Sequence, residues 1–369
     1  MNNRERLHAI MNYNAPDRMP AVHFGFTPEI VQTWVSEGHL PKSILNLGEY
    51  SFERESIISE KLGFDFGWHA NRIVTTELFP FFEEKLVELL DNGFEKHINC
   101  DGVYVLQKPG SGSIPAEIDH LLKDRISWET HYLPRLAYLE ERFSEDELNY
   151  VRSEQAQGNP IGLHCGSLLG RIRDYLGIMG LSYLAMDDEE LFDEILETIG
   201  DLCYQSVSRI LKTGIKFDYA HFWEDMCYKN GPLVSPNMFC NYTGKYYQKI
   251  TDLLHEYGIS IISVDCDGLI DSYIPIWLNR GVNVMFPIEV GTWDANIKPW
   301  RKKYGKEIKG IGGMRKNLFS EDFHSIDNEI LRLQSLTALG GYIPCPDHRI
   351  PENAKWENVK YYCEKIKQI

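Results

Sequence analysis

From about residue 159 onward, two hydrophobic spacings alternate along the chain, and the alternation predicts an architecture. Short apolar runs bounded by polar or turn residues read as buried strands over residues 160–165, 217–223, 259–264, 282–288, 308–312 and 341–344. Between them the apolar positions recur at three and four residues. Leu191, Ile195, Ile199 and Leu202 mark a long helix over about 188–211. A second long helix starts at the Ser235-Pro236 signal and ends at Gly258. Further helices are predicted over 270–279, 297–304, 326–339 and 356–366, and one containing Leu168, Ile172 and Tyr175 follows the first strand.

Strands alternating with helices in this way predict parallel βαβ units, an α/β fold. No Gly-x-Gly-x-x-Gly follows the first strand, which removes the dinucleotide-binding sheet. Polar clusters follow several strand ends instead, as they do in a (β/α)8 TIM barrel. The N-terminal part is less regular. A helix is predicted over 4–13, stopped by Ala15-Pro16-Asp17, then a strand over 20–26 and a hairpin over 96–106 turning at Asp101-Gly102. The expectation is one TIM-barrel domain spanning 1–369, with an irregular, insertion-bearing part over 1–150 and regular units over 151–369.

Composition narrows the function classes. The chain has 369 residues, 43% hydrophobic and 25% charged, with a net charge of −16. That acidity argues against nucleic acid or an anionic membrane as partner, since both require clustered Lys and Arg. No segment approaches the roughly 18 apolar residues of a membrane span, and no signal-peptide pattern opens the chain. The eight cysteines are dispersed without a Cys-x-x-Cys pair, which reads as reduced thiols in a cytoplasmic protein.

Four strand ends carry reactive side chains: His221-Phe-Trp-Glu224-Asp225, Asp265-Cys266-Asp267-Gly268, Glu289, and Asp347-His348. Carboxylates after strands often cap the next helix, and Asp225 and Asp294 read that way. Asp265 and Asp267 do not. Two acids one residue apart after an apolar strand repel each other unless a metal, a proton or a cation compensates. Cys266, between them, faces the other side of the strand and reads as a buried structural thiol. His348 stands in the Pro-bounded loop Cys345-Pro-Asp-His-Arg-Ile-Pro351, equally placed for packing or for a site. The glycine-rich turn Gly310-Ile-Gly-Gly-Met-Arg315 either approaches a substrate or relieves crowding at the rim. Serine-hydrolase, Walker and His-Glu-x-x-His motifs are absent from the sequence.

Both ends of the chain resemble the uroporphyrinogen decarboxylase superfamily. The matching stretches are Arg4-Glu-Arg-Leu-His-Ala-Ile-Met with Pro16-Asp-Arg18-Met-Pro20, then Gly340-Gly-Tyr-Ile, Asp347-His348-Arg-Ile-Pro351 and Trp356-Glu-Asn-Val359. Glu224-Asp225-Met226, Gly231-Pro-Leu-Val-Ser235-Pro236 and Gly312-Gly313 match between them. The resemblance implies a TIM barrel and one of two chemistries. One branch decarboxylates tetrapyrroles without a cofactor, using N-terminal arginines and an aspartate. Here Ala21-Val-His-Phe-Gly-Phe26 stands where the arginines belong, and Asp65 only loosely matches the acid. The other branch comprises zinc methyltransferases that move a methyl group between a corrinoid protein and a thiol, with a His-x-Cys and a late Cys as ligands.

Aligned on Gly268, this chain has Asp265 and Asp267 at the His and Cys positions and His348 near the late Cys. The resemblance therefore implies a metal-dependent methyltransferase with Asp265, Asp267 and His348 as ligands, zinc as the metal and a methyl-corrinoid as donor. Glu224 would serve as a further ligand or base, with His221 orienting it. A one-residue slip would bring Cys266 into the set. The alternatives are a metal-free decarboxylase, a lyase in which Asp265 or Asp267 is the acid, and a corrinoid- or tetrapyrrole-binding barrel without catalysis. A small-molecule substrate, a corrinoid-protein partner and a homodimer complete the expectation.

Overall fold

The computed structural model describes residues 1–48, 51–68, 72–73, 76–108 and 115–369, with 72–73 described by their backbone. Its strands are, in chain order, β1 (Val22–His23), β2 (Phe66–Gly67), β3 (Arg72–Ile73), β4 (Lys85–Leu89), β5 (Glu95–Ile98), β6 (Val103–Gln107), β7 (Ala116–His120), β8 (Gly162–Gly166), β9 (Tyr219–Trp223), β10 (Cys227–Tyr228), β11 (Gly231–Pro232), β12 (Ile262–Asp265), β13 (Val284–Ile288), β14 (Lys309–Met314) and β15 (Tyr342–Pro346).

Seven of them form one parallel sheet in the order β15-β14-β13-β12-β9-β8-β3. Residues of β8, β12, β13 and β15 are buried throughout, the signature of a parallel sheet covered on both faces. β1 and β2 make a separate parallel pair. Past β1, the chain meets the chain past β15 in a parallel bridge, Phe26 to Ile350. There Ile350 N donates to Gly25 O at 3.0 Å and Thr27 N to Ile350 O at 3.2 Å.

Aromatic rings from distant strands pack against one another beside the sheet. Trp68, after β2, stacks on Tyr219 of β9 with centroids 4.0 Å apart. Phe24, after β1, meets Phe286 of β13 at 4.6 Å. These rings are buried.

The long helices follow their hydrophobic spacing. Glu189–Leu211 is capped by Asp188, whose side chain accepts from Leu191 N, and buries Leu191, Ile195, Ile199 and Leu202. Pro236–Glu256 is capped by Ser235. The cap hydroxyls and carboxylates satisfy backbone N–H groups that a first turn leaves open. The helix predicted over 297–304 is Ile297–Tyr304, and the last is Trp356–Ile366.

The strand read over 20–26 contracts to Val22–His23, because Gly25 adopts φ 112° and breaks the extended run. The helix over 270–279 contracts to Ile274–Leu278, with Pro275 in its first turn. The hairpin over 96–106 is present as β5 and β6, turning through Gly102 at φ 80°. It belongs to a larger addition, a four-stranded antiparallel sheet in the order β4-β5-β6-β7.

Candidate functional site

In-register pairing decides which side chains meet. Across β8, β9 and β12, His164 lies beside His221 and His221 beside Ser263. Laterally paired residues share a face of the sheet, and so do residues two apart. Asp265, two beyond Ser263 and paired with Trp223, therefore stands on the His221 face, one layer nearer the C-terminal ends of the strands. Asp225 and Asp267 follow those ends.

The three aspartates converge. Asp225, Asp265 and Asp267 each present an oxygen within 4.8 Å of the other two. Asp265 is 3% exposed. Asp225 Oδ1 accepts the Asp267 N–H at 3.0 Å, which holds the two loops together. Asp267 Oδ1 is enclosed without a hydrogen-bond partner among the described residues, although the side chain as a whole is 38% exposed. An enclosed carboxylate oxygen without a donor is costly unless it is protonated or meets a cation.

The electrostatics follow from that crowding. Burial, then the Asp225 and Glu289 charges, push the Asp267 carboxyl well above its usual range, against the pull of Lys316 and Arg173. Asp225 is raised by burial, partly offset by the Asp267 N–H and by Arg173. Glu289, whose carboxylate accepts from Gly268 N and from the Thr292 hydroxyl, is also raised by burial. In each case burial favours the protonated form, and a divalent ion would compete with that proton.

His348 reaches the cluster from the loop after β15. Its Nε2 lies 3.7 Å from Asp267 Oδ2, its ring packs on Phe24, and it is 36% exposed. Burial, then Lys316 and Arg349, hold its imidazole down to about 3, in the neutral form a metal requires.

His221 and Glu224 sit deeper. His221 is fully buried, its Nδ1 2.7 Å from Ser263 Oγ; that hydroxyl donates to Ala220 O, so the ring nitrogen is the donor to it. Glu224, also fully buried, accepts from Leu168 N at 2.6 Å and Gly170 N at 2.9 Å. It thus caps the helix Leu169–Asp187, whose own N-cap residue supplies no side-chain bond. Burial raises its carboxyl to about 8. Cys266 is buried too; its sulfur accepts from Met226 N, and burial followed by the neighbouring Cys227 thiol pushes its own far above the usual thiol range. Such a thiol is inert.

Asp225 is the site residue that sequence reasoning set aside as a helix cap. It caps no helix. The available signal was its place just past β9, the neighbour of the strand that ends in Asp265. Arg173 and Lys316 also went unnoticed. Arg173 stands in the first turns of Leu169–Asp187, its guanidinium 5.7 Å from the Trp223 ring, with Arg171 5.3 Å from the same ring. Arg171 is neutralised by Glu77, Asp174 and Asp101.

No family model matches the chain. No curated protein matches it either. Among solved structures, a methyltransferase from Methanosarcina mazei superposes with a TM-score of 0.61 over 100% of this chain and 99% of its own, at 14% identity. A B12-independent methionine synthase from Shewanella sp. W3-18-1 in complex with selenomethionine gives a TM-score of 0.50, covering 95% of this chain and 98% of its own, at 10% identity. What the chain shares with both, over nearly its whole length, is the fold.

Proposed function

We propose that the protein is a metal-dependent methyltransferase resembling the uroporphyrinogen decarboxylase superfamily, moving a methyl group between a corrinoid protein and a thiol or similar small acceptor. The observation that carries this reading is the convergence of Asp225, Asp265 and Asp267 around the partnerless Asp267 oxygen. The activities of the two structural relatives, a methyltransferase and a B12-independent methionine synthase, support methyl transfer in general. We take the sheet to close as one barrel domain through β1 and the Phe26–Ile350 bridge. The protein is read as cytoplasmic and homodimeric.

The donor set fits a divalent cation. Three carboxylates are a harder set than the histidine and thiolates of zinc methyltransferases, so magnesium or manganese suits them at least as well as zinc. His348 would add the nitrogen that zinc favours. A bound ion supplies positive charge that lowers the pKa of an acceptor group. The chain's own residues do the rest. On loading, Asp225 and Asp267 would give up any proton they hold and Lys316 and Arg173 would offset the excess negative charge, while Trp223 lies beside Asp265 and Phe24 against His348. His221 orients the layer beneath Asp265 through Ser263, and Glu224 fixes the helix that carries both arginines.

Elemental analysis tests the centre. One divalent ion per chain is expected, lost in Asp267→Asn; transfer of methyl from methylcobalamin to a small thiol is then followed by the cobalamin spectrum. A chain that binds no divalent ion up to millimolar concentration refutes the metal reading. The raised Asp267 carboxyl would then favour the metal-free alternative, in which that acid donates a proton during a decarboxylation. Asp65 is not a candidate for that acid. It precedes β2, and its carboxylate accepts from the two terminal Arg18 nitrogens and from Ala21 N.

A further inference from the structure

The loops that follow β13, β14 and β15 border a cavity of about 280 Å³. Thr292, Arg315, Lys316, Asn317, Asp347 and His348 contribute to its wall. His348 belongs both to this wall and to the carboxylate cluster, since its Nε2 lies 3.7 Å from Asp267. The cavity therefore adjoins the acids through one shared side chain.

Most charges on this wall are already committed. Arg315 pairs with Glu329 at 3.0 Å. The two Asp347 oxygens are taken up by backbone donors, Gly291 N at 2.7 Å and Lys316 N at 3.1 Å. Glu321 also borders the cavity. Lys316 differs. Asp347, Asp267 and Glu289 act on it through space, yet among the described residues it forms no ion pair and its ammonium makes no side-chain hydrogen bond. Burial alone makes its charge costly, lowering its proton affinity more than those acids restore it. A half-buried ammonium without a partner is a place where an anion gains more than it would on an open surface. Loops after the last two strands of such barrels are also a recurrent location for anions.

We propose that this cavity is an oxyanion subsite. It holds the carboxylate or phosphate tail of a small substrate against Lys316, with the Asn317 amide in the same wall, while the reacting end lies toward Asp267 and His348. The subsite rests on the reading of the carboxylate centre as the place of reaction. Its volume of about 280 Å³ lies at the lower limit of ligand pockets. The substrate tail is thus a few heavy atoms carrying one acidic group.

Calorimetric titration of the full chain with propionate and, separately, with inorganic phosphate reads the subsite without any reaction. One-to-one binding of at least one anion is expected. It should weaken by roughly ten- to a hundredfold in Lys316→Met and survive in Lys316→Arg, as the loss of one charge-assisted hydrogen bond requires. Binding of propionate alone assigns a carboxylate tail, and binding of phosphate alone a phosphate tail. If neither anion binds, or Lys316→Met binds as well as the parent, the subsite does not exist. Should Lys316→Met fail to fold, Lys316→Gln is judged by the same two outcomes. Asp267→Asn separates the subsite from the metal reading: it loses the ion and keeps the anion.

Discussion

At the scale of single residues, Asp267 concentrates the unusual chemistry. Its enclosed oxygen has no donor, and its proton is held by burial and by neighbouring acids. Metal loading competes with protonation of that carboxyl, so affinity for manganese or zinc should rise with pH through the range in which it ionises. Asp267→Asn should weaken binding by at least about tenfold, read by calorimetry at pH 7.5.

Glu224 makes a different prediction. Burial raises its carboxyl from 4.5 to about 8, so the folded chain keeps a proton that the unfolded chain releases. Folding takes up that proton between those two values, and stability falls as pH rises across the window. Glu224→Gln lacks the slope. The difference in unfolding free energy between parent and variant, followed by denaturant titration at pH 5, 6, 7 and 8, should shrink steadily toward the alkaline end. A constant difference would contradict it.

Sequence showed two of the three aspartates because they share one strand end. Asp225 reads from sequence as a helix cap, because a carboxylate after a strand looks the same whether it caps a helix or faces a neighbouring strand. Only the lateral register between β9 and β12 distinguishes the two. Lys316 and Arg173 were hidden for a related reason: they arrive from helical turns, where a basic residue is ordinary.

At the scale of elements, helices were the most legible part. Their 3.6-residue spacing and their caps survive in the sequence, and Ile297–Tyr304 and Trp356–Ile366 begin and end where the pattern says. Asp188→Ala should cost about 1 kcal/mol, because Leu191 N loses its acceptor while the helix interior is untouched. Strand ends were less legible, since turns after strands depend on backbone conformation rather than on hydrophobic spacing. Gly312 illustrates the point. It sits inside β14 at φ 128°, and an added Cβ would come 2.3 Å from the Ile288 nitrogen. Gly312→Ala should therefore lower stability by more than about 1 kcal/mol, measured by thermal unfolding, and displace β14 against β13. The glycine-rich turn is accounted for by close packing between strands.

At the scale of the whole molecule, the parallel sheet gathers strand ends from residues 165 to 347 on one side, which is how acids distant in sequence meet. A ligand that binds only this assembled state stabilises it by mass action. Saturating divalent ion at about a hundred times its dissociation constant should add roughly 2.7 kcal/mol of stability. At the same ion concentration the gain should fall to about 1.4 kcal/mol or less in Asp267→Asn, as seen by thermal unfolding with and without chelator.

The four-stranded addition was visible only as one hairpin, because its strands expose much of both faces and carry little hydrophobic pattern; every residue of β4 is exposed. Its inner turn is nonetheless anchored. Tyr132 donates to Asp101 O at 2.9 Å, and the Asp101 carboxylate lies 3.9 Å from Arg171, the arginine that shares Trp223 with Arg173. An outlying sheet thus lends a carboxylate to the innermost arginine cluster. Truncating Asp101 would therefore reach Arg171, and through it the Trp223 ring, without touching the parallel strands.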